Sequence, residues 1–452
     1  MPATLAEKII AAHAGLESVT AGQIVVALVD VAIAQDGTGP LAVQQLRDLG
    51  RVQVKVPTAV FFLDHAAPPP RAELANAHHL IRCFCDETGA TLSDVEMGIC
   101  HQRVAESFAK PGDVVIGADS HTCTAGALGS FGTGMGSTDV AIGMATGQTW
   151  LRVPETFRIE VGGHLADGVT AKDLILTLIG RLGADGATYK ALEFGGPAID
   201  GLPMHERLTL SNMAVEAGAK AGIVASDATT KSFLASLGRE ADWRPVEPDP
   251  DATYEREIRL LADELVPVVA APHTVDNVHP AAELAGTKVD QVLIGTCTNG
   301  RLEDLRAAAR LLRGRRRAPG TRLIVTPASR AVWRAAADEG LLQAFVDAGA
   351  VVTNPGCGAC VGVHEGVLAD GEACVSTANR NFKGRMGNPD AFIYLASPLT
   401  AAAAAVAGEI VDPRELLADP AHDAAAPNAG APGASRPGPA PGAPSIEGVQ
   451  HG

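Results

Sequence analysis

Short runs of aliphatic residues alternate along most of the chain with stretches whose apolar side chains recur at helical spacing. This pattern predicts an α/β protein with parallel strands layered between helices. The strand-like runs include Ala59-Val60-Phe61-Phe62-Leu63, Val114-Val115-Ile116-Gly117, Gln291-Val292-Leu293-Ile294, Leu323-Ile324-Val325-Thr326, Val351-Val352-Thr353 and Ala373-Cys374-Val375-Ser376. Between two of them, the stretch from Leu302 to Leu312 sets Leu305, Ala308, Ala309 and Leu312 on one stripe of a helix. Polar and Pro-rich residues from Arg239 to Tyr254 interrupt the alternation, which places a boundary just beyond them, near Pro272, with a weaker one near Trp150. The expected α/β units are residues 1–150, 151–272 and 273–420. From about Ala424 the chain is dominated by Ala, Pro and Gly, so residues 421–452 are expected to form a disordered tail: so little apolar surface cannot offset the entropy of ordering. No internal repeat is present.

The unusual polar clusters sit immediately after strand-like runs. Asp64-His65 follows Leu63, Asp119-Ser120-His121 follows Gly117, Cys297 follows Ile294, Cys357 and Cys360 follow Thr353, and Asn379-Arg380 follows Ser376. Ligands of open α/β sheets bind at the carboxyl ends of strands. The clusters are therefore expected to share one active site between domains.

Composition narrows the partners. The chain has 452 residues, 46% hydrophobic and 19% charged, enough for several apolar cores and too many for one compact domain. A formal net charge of −16 argues against nucleic acid and anionic membranes, so a small anionic substrate needs a local basic pocket. No apolar stretch reaches the roughly 20 residues that span a bilayer. The first residues, Met1 to Leu16, mix Glu7 and Lys8 into a helical pattern unlike a leader, so the expected location is the cytoplasm. Eight irregularly spaced cysteines do not read as a disulfide framework, and in a reducing compartment the clustered ones become candidates for metal ligation or catalysis.

The strongest local signal is Asn354-Pro355-Gly356-Cys357-Gly358-Ala359-Cys360, a C-x-x-C in a Gly-rich loop that lets the backbone turn tightly. A zinc ribbon wants a second such pair, and a thioredoxin-like motif opens a helix in a smaller domain. Neither context is present. Cys297, in Ile294-Gly295-Thr296-Cys297-Thr298-Asn299-Gly300, is the other cysteine in a comparable strand-to-loop setting. Three thiolates on a cubane cluster leave one iron open as a Lewis acid for a hydroxyl and a carboxylate. Spacing alone also admits reactive or simply buried cysteines. Cys83, Cys85, Cys100, Cys123 and Cys374 read as small buried hydrophobes, Cys83 and Cys85 because they alternate with Phe84, although Cys123 neighbours the Asp119 cluster.

The Gly-rich stretch from Gly126 to Gly136 lacks the Lys of a phosphate loop and the spacing of a dinucleotide fingerprint. Its expected role is close approach of backbone to the site, with Ser137 or Thr138 capping the next helix. His65, His101 and His121 each have carboxylates within sequence reach, and a histidine–carboxylate pair orients the ring for proton transfer. Taken singly, a histidine in such a setting is more often a satisfied structural residue. Arg380 and Arg385 suit bidentate carboxylate binding, or a solvated basic loop.

Together these residues resemble the aconitase superfamily, most closely its 3-isopropylmalate dehydratase and homoaconitase branch, whose large subunit works with a separate small one. The resemblance runs from about Leu5 to Leu417, carried by GADSHTCTAGALGSFGTGMGSTD from Gly117, IGTCTNGRLEDLR from Ile294, NPGCGACVGVHEG from Asn354 and STANRNFKGRMGNPDAFIYLASP from Ser376. It implies three α/β/α domains around a central cleft, with Cys297, Cys357 and Cys360 holding a 4Fe–4S cluster. It also implies histidine–carboxylate pairs, which map onto Asp64 with His65, Asp119 with His101, and Glu193 with His121. Gln35 and Ser120 resemble substrate contacts, Asn379 a cluster-side contact, and Arg380 and Arg385 carboxylate clamps.

The implied activity is a hydro-lyase cycle that moves a hydroxyl to the neighbouring carbon, with His65 protonating the leaving hydroxyl. The most expected reaction is 2-isopropylmalate to 3-isopropylmalate, in leucine biosynthesis. The base, in the family, is a serine beside an arginine on a fourth, swivel domain, for which this chain offers no candidate. A separate small subunit is therefore an expected partner. Ala125, where an aromatic is expected, and the Pro-rich run after His65 depart from the family pattern. Rival readings are homoaconitate, citrate or another substituted malate as substrate, an electron-transfer protein, and a cluster-free binding or regulatory protein. An electron carrier wants four protein ligands and has no use for the histidine–carboxylate set. The intact cysteines and the −16 charge oppose a cluster-free, RNA-binding regulator.

Overall fold

A computed structural model describes residues 2–50 and 53–418 of the protein, so the expected tail lies outside the described residues. The first sheet sets Thr91–Ser93, Thr58–Phe62, Val31–Gln35, Val114–Gly117 and Phe131–Gly134 side by side, all parallel. A second parallel sheet orders Ala221–Val224, Ala191–Gly195, Thr156–Gly162 and Arg256–Leu261. The third has seven strands, Val278–Pro280, Val268–Ala270, Phe392–Leu395, Ala373–Ser376, Gln291–Gly295, Arg322–Thr326 and Ala350–Val352; Val268–Ala270 alone runs opposite to the other six. A two-stranded antiparallel ribbon joins Ile24–Leu28 to Gln148–Arg152.

All six strand-like runs of the sequence fall in these strands, and Leu302–Leu312 is a helix that buries Leu305, Ala308, Ala309 and Leu312 against the third sheet. Central strands such as Val31–Gln35 and Gln291–Gly295 are buried at every position, which is why they read as continuous apolar runs rather than alternating ones. Among the described residues no helix is long and apolar enough to cross a membrane.

Strand order positions the site. In the first sheet the chain builds outward from Val31–Gln35 on one side and later returns to Val114–Gly117 on the other; in the third it does the same around Gln291–Gly295 and Ala373–Ser376. Such reversals open a crevice at the carboxyl ends of the strands. The polar clusters around Gln35, Asp119, Cys297 and Asn379 follow these four strands.

Two local expectations are corrected. Helix Ser137–Thr146 is capped by Gly136 without a side-chain hydrogen bond, so neither Ser137 nor Thr138 is the cap. Cys83 and Cys85 lie in helix Ala72–Thr88 rather than a strand, where adjacent odd positions diverge; Cys85 is buried and Cys83 exposed. Cys374 is buried within its strand, as expected.

The Gly-rich stretch serves packing between sheets. A Cβ on Gly126 would lie 1.9 Å from the carbonyl oxygen of Gly222, in the edge strand of the second sheet. Gly126→Ala is therefore expected to destabilise the protein by about 3 kcal/mol or more, since the obstacle is backbone and not a movable side chain. Denaturant unfolding of the variant checks this, and a loss within about 0.5 kcal/mol would refute the close-approach role.

Candidate active site

The loops at these strand ends enclose a cavity of about 260 Å³ whose wall includes Gln35, His65, His101, Asp119, Ser120, His121, Cys297, Cys357, Cys360, Asn379, Arg380 and Arg385. The first sheet delivers the histidines and Asp119. The third delivers the cysteines, Asn379 and both arginines.

Asp119 is the hub of the polar side. Its Oδ1 accepts from His101 Nε2 at 2.8 Å and from the His121 backbone N–H at 2.9 Å, while His65 Nε2 lies 3.4 Å from Oδ2. Burial alone would raise its pKa, but the charge of His101 and hydrogen bonds from His101, His121 and His65 hold it well below the usual carboxylate range. His65 Nδ1 meets Asp64 Oδ1 at 2.8 Å, and Asp64 Oδ2 accepts the Cys100 backbone N–H at 2.7 Å, fixing the carboxylate that orients the ring. Burial opposes charge on His65, yet the Cys357 sulfur and the Asp64 carboxylate beside it, with hydrogen bonds to Asp119 and Asp64, raise its pKa well above the ordinary histidine value.

The partner expected for His121 is corrected. Glu193 lies in the middle of strand Ala191–Gly195 and faces away from the cavity: its carboxylate accepts the Leu5 backbone N–H at 2.8 Å, Arg158 Nη1 at 3.1 Å and the Tyr254 hydroxyl. A mid-strand side chain points to a sheet face, whereas the site lies beyond the strand ends. His121 Nε2 pairs instead with Glu216 Oε1 at 2.7 Å, and Arg380 Nε meets the same oxygen at 2.9 Å. Burial of Glu216 works against its charge, but the His121 hydrogen bond and the charges of His121 and Arg380 lower its pKa. One signal was available in the sequence: Glu216 is the lone charge in the small apolar run Met213-Ala214-Val215-Glu216-Ala217-Gly218. Glu193→Gln is expected to lower stability by about 2 kcal/mol, because Arg158 and Leu5 lose a charged acceptor, and thermal unfolding measures it.

The cysteine side has the chemistry of a metal-cluster cradle. Cys297, Cys357 and Cys360 are buried, and all eight cysteines are free. Asn212 and Asn379 direct Nδ2 at Cys297 Sγ from 3.3 and 3.4 Å, and Arg385 directs Nη2 at Cys360 Sγ from 3.4 Å. Donors converging on sulfur suit thiolates, yet burial pushes the Cys297 thiol up to about 11. A cationic centre held by the three sulfurs would resolve that conflict. The residues present therefore fit a 4Fe–4S cluster. The neighbouring buried Asn379 Oδ1 and Arg385 Nε have no protein partner among the described residues, as expected of groups reserved for a ligand.

A model of the aconitase family (aconitate hydratase) matches residues 7–286 and 277–408. The chain belongs to the aconitase family. It is 57% identical over 417 residues to 3-isopropylmalate dehydratase large subunit 2 of Archaeoglobus fulgidus, covering 92% of this chain and 100% of that protein. It is 56% identical over 418 residues to the 3-isopropylmalate dehydratase large subunit of Elusimicrobium minutum, and 57% identical over 419 residues to large subunit 1 of Thermotoga maritima, with the same coverage. Its fold is similar to the crystal structure of Thermococcus kodakaraensis aconitase X, at a TM-score of 0.50 and 13% identity, over 80% of this chain and 88% of that one. The family expected from the four sequence strings is thus the family found.

Proposed function

We propose that this aconitase-family chain is the large subunit of a hydro-lyase that isomerises 2-isopropylmalate to 3-isopropylmalate, in leucine biosynthesis, and that a separate small subunit completes its site. The observation that carries the reading is a single cavity with three inward cysteines on one side and three histidine–carboxylate pairs on the other, in a chain more than half identical to named 3-isopropylmalate dehydratase large subunits. In this reading the three sheets are the cores of three α/β/α domains around a central cleft, and Cys297, Cys357 and Cys360 hold a 4Fe–4S cluster. The cluster supplies a Lewis-acidic iron with an open position for a hydroxyl and its neighbouring carboxylate.

The chain's own residues do the rest. Arg385, with its free Nε, and Arg380, anchored through Nε by Glu216, bind the substrate carboxylates. His65, which lines the cavity, delivers a proton from Nε2 to the leaving hydroxyl, because Asp64 holds its Nδ1 and Nε2 has only the longer 3.4 Å approach to Asp119 Oδ2. Asp119 bridges His101 and His121 and fixes their ring orientations, while Gln35 and Ser120 complete the substrate-facing wall. Asn379 donates to Cys297 and keeps its oxygen for a ligand.

The test is reconstitution: the anaerobically purified chain is mixed with its small subunit and assayed in parallel on 2-isopropylmalate, homocitrate and citrate. Preferred turnover of 2-isopropylmalate, and none by the large chain alone, is expected. Faster turnover of either tricarboxylate, or full activity without a partner, overturns the reading.

A further inference from the structure

The turn that carries His65 is held from behind by a residue that never meets the cavity. Asp36 follows Gln35 at the end of strand Val31–Gln35; strand alternation sends Gln35 into the cavity wall and Asp36 the other way, where it is 3% exposed. Its Oδ1 accepts the backbone N–H groups of Asp64 at 3.2 Å and His65 at 2.8 Å, and its Oδ2 accepts that of Ala66 at 2.8 Å. His78, buried in helix Ala72–Thr88, closes the arrangement with Nε2 at 3.0 Å from Oδ2. His78 Nδ1 is buried and has no partner among the described residues, so Asp36 is its sole polar contact. One carboxylate thus receives three successive amides of the loop that aims the His65 ring.

We infer that Asp36, braced by His78, is a positioning residue that fixes the Asp64-His65-Ala66 turn and so sets the direction of His65 Nε2. Asp36 neither lines the cavity nor meets a cysteine; its hydrogen bonds to the turn are all made to backbone, and the His65 ring comes no closer than 3.9 Å, between Nδ1 and Asp36 Oδ1. The inference uses the hydro-lyase reading only for its kinetic readout. Asp36→Asn keeps the shape and removes one acceptor: whichever way the amide turns, an N–H of the turn or of His78 faces another donor. His78→Ala removes the brace, and His78→Gln supplies a replacement N–H.

Hydrogen exchange on the full-length chain and kinetics on the reconstituted complex test this together. Asp36→Asn is expected to speed exchange of the amides at positions 64–66 about 10- to 100-fold while leaving the rest of the first sheet unchanged. It is expected to lower kcat about 10- to 100-fold with KM within about threefold, because a misaimed ring loses proton transfer and not substrate binding. His78→Ala acts in the same direction and His78→Gln restores most of the loss, which keeps the test decisive if Asp36→Asn fails to fold. Exchange that stays unchanged or rises uniformly over the sheet, unaltered kcat, or an effect confined to KM overturns the inference. A wild-type complex inactive on 2-isopropylmalate removes the functional reading, while the exchange pattern still decides whether Asp36 fixes the turn.

Discussion

Replacing Cys297 with serine is expected to lower kcat/KM of the reconstituted enzyme by at least about 10³-fold, since Lewis-acid assistance contributes several kcal/mol to such a reaction. Iron and sulfide content should fall with it. Cys297 is the sulfur toward which two buried amides, from Asn212 and Asn379, point, so a serine hydroxyl there would leave both facing a poor ligand. The control is Cys83→Ser, at an exposed position on a helix, which should change neither cluster content nor rate. Iron analysis and turnover on the two variants read the outcome. A Cys297→Ser protein with full iron and near-normal rate would remove the cluster from the proposed site.

The second large effect concerns the acid that serves His121. Glu216→Gln is expected to reduce kcat about 100-fold, because Glu216 holds both the His121 ring and Arg380, which on the proposed function serve proton transfer and carboxylate binding. KM should rise as well. Glu193→Gln should keep kcat within about threefold while lowering the melting temperature, since its partners are Leu5, Arg158 and Tyr254. Steady-state kinetics with thermal unfolding on both variants separates the two carboxylates. A kinetic loss larger at Glu193 than at Glu216 would contradict the assignment made from geometry.

Much of this arrangement was legible before any coordinates. Fully buried parallel strands announce themselves as unbroken aliphatic runs, and residues just past their ends are forced toward the crevice, which is why His65, Asp119, Cys297 and Asn379 were placed together. What escaped was partnership across long sequence separation. His121 and Glu216 are 95 residues apart, in short helical turns attached to different sheets, and nothing in spacing tells a histidine which carboxylate it meets. Glu193 had a plausible motif context, but its mid-strand position, visible once Ala191–Gly195 is assigned, already pointed it at a sheet face. The role inferred for Asp36 runs through backbone amides, which leave no mark in the sequence.

The three cysteines all depend from the third sheet, whereas the histidines that face them hang from the first. On the proposed function, the group that would hold the cluster and the group that would use it therefore belong to different sheets. The third sheet alone carries all three cysteines, and the first sheet supplies the facing wall of the cavity. A substitution that loosens the junction between those sheets, without touching a cysteine, should then show itself first as loss of iron on exposure to air.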